Sequence, residues 1–175
     1  MLKNNIKYII FIIFFIFTNQ LSANVKNNNI TLMKSFGITT NNIFVNEKYK
    51  NNVIGFTSSI KILNKIYNNK KINIKAGLNI QMTFFSKIYK LKAVDVDLLP
   101  TISISIFNIK TNLFLGYTRT DGFEEEQEYS NGLTYGIEIP IIKINKINSS
   151  IKYLKTNYKN NIISDKISFN FCYKI

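Results

Sequence analysis

The chain has 175 residues, with 23 Lys and Arg against 10 Asp and Glu for a net charge of +13, no His and one Cys. That length suits one domain, and the missing His and single Cys exclude His-dependent catalysis, most metal centres and a disulfide scaffold. The basic balance admits nucleic acid, anionic lipid or acidic sugar as partners, although Asn, Ile and Lys are abundant throughout, as a coding bias alone would produce.

Residues 1–23 read as an export signal. Lys3 and Lys7 supply the positive start, residues 9–17 form an unbroken apolar run, and Leu21-Ser22-Ala23 offers a cleavage point before Asn24. The run is too short for a membrane-spanning helix, which needs about 20 apolar residues. An uncleaved anchor is the competing reading. Export makes a nucleic-acid partner unexpected.

The remainder, residues 24–175, reads as one all-β domain. Residues 30–38 form a first strand of imperfect alternation, with Leu32, Lys34 and Phe36 on one face. Residues 39–52 are polar and predicted as a loop. Residues 53–63 alternate again, Ile54, Phe56, Ile60 and Ile62 against Gly55, Thr57, Ser59 and Lys61, and 64–71 are predicted as a turn. The clearest segment is 72–84, in which Ile72, Ile74, Ala76, Leu78, Ile80, Met82 and Phe84 alternate with Asn73, Lys75, Gly77, Asn79, Gln81 and Thr83. Side chains of a strand point alternately to its two faces, so this is one strand with an apolar and a polar side. At about 3.3 Å per residue it spans roughly 40 Å, about twice the usual soluble strand. A transmembrane barrel strand needs about 9–11 residues in the hydrocarbon, plus its rims.

A second long loop is predicted over 86–97, with Asp95 and Asp97 in it. Pro100 marks a strand start, where a missing N–H is tolerated. Ile102, Ile104 and Ile106 then alternate with Thr101, Ser103 and Ser105; Leu113, Leu115 and Tyr117 follow a turn at 108–112. A third long loop, 120–131, precedes a strand carrying Leu133, Tyr135, Ile137, Ile139 and Ile141 opposite Thr134, Gly136 and Glu138. After a turn at 143–148, a weaker strand over 150–158 sets Ile151 and Tyr153 against Lys152. The chain closes with Ile167, Phe169, Phe171, Tyr173 and Ile175 alternating with Lys166, Ser168, Asn170, Cys172 and Lys174. The count is eight antiparallel strands, with long connections one, three and five and shorter connections two, four and six. Bacterial barrels show this asymmetry, with long loops outside the cell and short turns in the periplasm.

The closing strand carries a resemblance. ISFNFCYKI, through Ile167, Phe169, Phe171 and Tyr173, resembles the terminal strand by which outer-membrane barrels are read by the barrel-assembly machinery, although that family ends in Phe and this chain in Ile175. Over roughly residues 30–175 the pattern is similar to small eight-stranded barrels of the OmpX and OmpA-barrel type. The resemblance implies an eight-stranded antiparallel up-and-down transmembrane β-barrel in the bacterial outer membrane. Its expected partners are membrane lipid, lipopolysaccharide, the assembly machinery and a surface ligand of unknown identity. It also bears on catalysis. The barrel enzymes that it resembles (lipid A palmitoyltransferase, lipid A deacylase, phospholipase and protease) each use a catalytic His, and this chain has none.

No catalytic residue, cofactor or firm metal site is therefore expected. A Ser59–Lys61 dyad shares one face, yet such residues are ordinary in a wet interior. The polar parity assigns Lys61, Lys75, Asn79, Gln81, Glu138, Lys152, Lys166 and Asn170 to the lumen, with Glu138 as counter-charge to several lysines and Cys172 as a partnerless thiol. An eight-stranded barrel is just filled by its side chains, so a packed polar core is expected ahead of a conducting pore. Ile72, Ile74, Leu78 and Ile80 are expected to face lipid. Phe84, Tyr117, Tyr135 and Tyr173 suit aromatic girdles or simply strand preference. Asp121, Glu124, Glu125, Glu126 and Glu128 could hold a hard divalent cation or form a solvated acidic tip. Two other functions stay open: a small pore, and a soluble lipocalin-like periplasmic carrier with the same alternation turned inside out.

Overall fold

A computed structural model describes residues 29–86, 92–107, 109–121, 131–144, 147–158 and 161–174. The alternation of apolar and polar residues makes each segment a two-faced strand. Such strands pair side by side until the edges meet, which leaves no unpaired backbone for lipid to desolvate. The result is a closed barrel of β1 (Ile30–Val45), β2 (Lys48–Asn68), β3 (Ile72–Ser86), β4 (Lys92–Ile106), β5 (Ile109–Asp121), β6 (Asn131–Ile144), β7 (Ile147–Tyr158) and β8 (Ile162–Lys174) in sequence order. All pairs are antiparallel, and β1 closes on β8 with Phe36 opposite Phe171 and Gly37 opposite Asn170.

Several predicted boundaries are corrected; of the turn over 108–112, for one, residues 109–112 belong to β5. The loop over 39–52 is instead the upper part of a long hairpin. β1 and β2 pair from Ile30↔Asn64 to Val45↔Lys48, joined by a two-residue turn at Asn46 and Glu47, both at positive φ (48° and 64°). Positive φ at both central residues matches the twist of a tight hairpin. The loop over 86–97 is largely strand: β4 starts at Lys92, and Asp95 and Asp97 lie on it. The turn over 64–71 shortens to 69–71, because β2 continues through a bulge between Lys65 and Tyr67. Thus the first connection is tight, and length no longer separates it from the turns at the opposite end.

Pro100 sits mid-strand and does not start β4. It is paired with Leu78 on β3, while towards β5 the ladder omits Leu99 and Pro100. A Cβ at Gly116 on β5 would lie 2.1 Å from the Leu98 carbonyl oxygen and 3.0 Å from Pro100 Cδ, so glycine lets the two strands close over the missing N–H. Pro140 is handled differently, at a bulge between Pro140 and Ile142 on β6.

The polarity of the wall is inverted relative to a soluble protein. Leu98, Ile102, Leu113, Leu115, Ile139, Ile151 and Ile167 are exposed on the outside, and Lys152, Lys166, Asn79, Gln81, Thr83, Thr118 and Glu138 are buried inside. On β4 the exposed apolar face runs from Val96 to Ile106. At about 3.3 Å per residue and a tilt near 45°, it covers about 25 Å of membrane thickness, the height of the apolar band of outer-membrane barrels. No helix among the described residues is long and apolar enough to cross a membrane. The predicted export segment lies outside the described residues.

Candidate functional site: the polar lumen

Among the described residues, reactive side chains converge in the interior. One face of each strand points inward, so the spacing of two along a strand stacks polar residues in layers. Two charge clusters result, and Gln81 joins them.

The first cluster centres on Lys166. Its Nζ donates to Asp97 Oδ1 at 2.8 Å and Oδ2 at 3.1 Å, and to Asp95 Oδ2 at 3.1 Å. Thr120 donates to Asp95 Oδ1 at 2.7 Å, Gln81 Nε2 donates to Asp97 Oδ2 at 3.0 Å, and Thr118 donates to Asp97 as well. The second cluster centres on Glu138, which accepts from Lys61, from Asn112 Nδ2 at 2.6 Å and from Ser150 Oγ at 2.8 Å. Lys152 is paired across the sheet with Glu138 and donates to Gln81 Oε1 at 2.8 Å. The Gln81 amide therefore turns its carbonyl to a cation and its NH2 to an anion, as its two ends require. Phe114 lies beside the second cluster, its ring centroid 5.3 Å from Lys61 Nζ and 5.0 Å from Lys152 Nζ, close enough for a cation–π contribution.

Hydroxyl pairs fill the remaining wall: Thr57–Thr83 and Thr39–Ser168 at 2.7 Å, and Thr134–Thr156 at 2.9 Å. At the end bearing connections one, three, five and seven, the buried apolar side chains Ile43, Val53, Phe85, Tyr158 and Ile162 pack together as a plug. Tyr158 ties this plug to the first cluster through Thr120, at 2.8 Å.

The residues assigned to the lumen from the sequence are found as follows. Lys61, Asn79, Gln81, Glu138, Lys152, Lys166 and Asn170 are buried within it; Lys75 is half-buried near the short-turn end and donates to Thr31 Oγ1 at 2.7 Å. Cys172 is buried beside Glu138, its sulfur 3.8 Å from Oε1. The Ser59–Lys61 dyad is not assembled: Ser59 bonds Ser35 at 2.5 Å, and Lys61 is taken by Glu138. Ile167, Phe169, Phe171 and Tyr173 are all exposed on the outer face of β8, and Ile175 lies outside the described residues. Glu124, Glu125, Glu126 and Glu128 also lie outside them. Asp121 ends β5, and no group of three potential metal ligands occurs among the described residues.

Asp95 and Asp97 were missed as lumen residues. Their signal was present: Val94 and Val96 continue the outward parity of Leu98, Pro100 and Ile102, which leaves both aspartates facing in. Asn112, Thr118 and Ser150 were missed for lack of any sign in sequence of what stands opposite them.

A closed eight-stranded barrel, apolar outside and charged inside, defines the class as a transmembrane β-barrel of the outer-membrane type. Comparison with solved structures agrees on the fold. The chain is similar to Ail, the attachment invasion locus protein of Yersinia pestis, at 10% identity and a TM-score of 0.57, covering 83% of this chain and 98% of that one. It is likewise similar to Ail in a phospholipid bilayer nanodisc (12% identity, TM-score 0.52, 83% and 99% covered). Neisserial surface protein A follows at 9% identity and a TM-score of 0.50, with 82% and 97% covered. No sequence-family description matches the chain, and no curated protein matches it.

Proposed function

We propose that this protein is a non-enzymatic, non-conducting outer-membrane barrel that acts at the cell surface, through its outer loops and rim, on lipopolysaccharide, host or phage. The observation that carries this reading is the lumen of the described residues: two hydrogen-bonded charge clusters and an apolar plug occupy it, which favours the loops and rim as the surface of contact. Arg119 is exposed and Lys155 half-buried on the outer face near the plugged end, where anionic headgroups of surface lipid would meet them. The similar Ail is named for attachment and invasion, and one Ail structure holds a heparin analogue. The first is in keeping with a role at the cell surface, the second with an acidic partner.

The polarity disfavours a soluble carrier, whose apolar face would line the cavity. Planar-bilayer recording tests the closed lumen. The purified barrel should give no discrete conductance steps, whereas regular, reproducible steps would establish a pore. On intact cells, an epitope tag inserted at Glu125 should bind antibody without lysis.

A further inference from the structure

The two clusters leave positive charge over at one end. Lys166 faces two carboxylates and Lys61 faces one, and the neutral Gln81 takes Lys152. Nearer the short-turn end stand Lys75 and Lys110, half-buried, each with a neutral hydrogen-bond partner: Lys75 donates to Thr31, and Lys110 Nζ lies 3.8 Å from the Met33 sulfur. Lys65 on the adjoining β2 and Lys174 on β8 face Lys75; Lys110 is faced by Lys61, Lys75, Glu138 and Cys172. Glu138 is the one carboxylate reaching this half among the described residues, and Lys61, Asn112 and Ser150 already occupy its oxygens.

A second observation sits deeper on the same wall. Asn79 is fully buried on the inward face of β3, four residues further in than Lys75 and directly across from Lys61. Neither its amide nitrogen nor its oxygen has a partner among the described residues. A buried amide without partners is costly, and its NH2 group is a donor. Clustered ammoniums at the mouth, with a free donor behind them, are suited to an anion with several acceptor oxygens.

We propose that the short-turn mouth of the barrel binds a phosphate-class oxyanion, held by Lys75 and Lys110, with Lys65 and Lys174 at the rim and Asn79 at the floor. The oxyanion could be free phosphate or the headgroup of an anionic phospholipid in the adjoining leaflet. The test is equilibrium dialysis of radiolabelled inorganic phosphate against the full-length barrel in phosphatidylcholine nanodiscs. Expected is saturable uptake near one phosphate per barrel. Affinity should fall at least tenfold in Lys75→Gln/Lys110→Gln and stay unchanged in Lys48→Gln, which removes a charge at the opposite end. Lys110→Gln alone should fall at least threefold, and it serves if the double variant loses heat-modifiable migration. Added phosphatidylglycerol that competes with phosphate identifies the headgroup as the occupant; no competition identifies the free ion. Absence of saturable uptake by the unaltered protein would overturn the proposal and leave water as what meets the Asn79 amide. So would a loss in Lys48→Gln equal to that in Lys110→Gln, or undiminished affinity in a folded Lys110→Gln protein.

Discussion

Lys166→Met is expected to destabilise the barrel by about 3–5 kcal/mol, because it strands the buried carboxylates of Asp95 and Asp97 without their cation. Thr118, Thr120 and Gln81 would still donate to them, but neutral donors do not cancel two negative charges in a low-dielectric interior. The loss should be read from urea unfolding in lipid vesicles, followed by heat-modifiable migration. A triple variant, Lys166→Met/Asp95→Asn/Asp97→Asn, removes every charge of the cluster and should recover most of the loss, since deleting all partners of a buried ion cluster is far less costly than deleting one. If Lys166→Met unfolds at the same urea concentration as the unaltered barrel, the cluster contributes nothing to stability and the lumen is wetter than its contacts imply.

The second large effect lies on the opposite face of the wall. Leu115 is 60% exposed at the middle of β5, where the apolar belt is deepest. Leu115→Arg should cost about 2–4 kcal/mol, the charge penalty of barrels at the bilayer midplane. The same strand and face already carry Arg119, four residues nearer the rim. At about 3.3 Å per residue that is roughly 13 Å along a tilted strand, enough to bring an Arg close to the interface, where the penalty falls to about 0–1 kcal/mol. Tyr117→Arg should therefore fall between the two. A graded series in vesicles supports a membrane-embedded wall, while equal and small losses at 115 and 117 would fit a surface bathed in water.

How much of this was legible in the sequence depended on which faces of a strand lipid and lumen constrain. Across 72–84 Asn79, Gln81 and Thr83 are buried in the lumen and the apolar residues take the opposite face, so the alternation holds throughout and the strand can be read directly. Residues 39–52 are Thr- and Asn-rich, and they pair in the upper hairpin by backbone ladder with little hydrophobic pattern to reveal it. Asp95 and Asp97 kept the parity of β4 but were masked by Pro100, which looked like a boundary because its accommodation depends on Gly116, a residue of the neighbouring strand. The presence of lysines in the lumen followed from parity. Which lysine meets which carboxylate did not, since Lys61 and Glu138 come together from β2 and β6, far apart in sequence.

The inverted polarity of the wall is the central claim, and spin-label accessibility tests it most directly. In a Cys172→Ser background, labels at residue 115, on the outward face, and at residue 114, on the inward face, probe adjacent positions of one strand in opposite surroundings. In lipid vesicles the label at 115 should relax with lipid-soluble oxygen and be shielded from a water-soluble nickel complex. The label at 114 should be poorly reached by oxygen. Strong exposure of 115 to the water-soluble relaxant, with no gain from oxygen, would contradict a barrel that faces lipid.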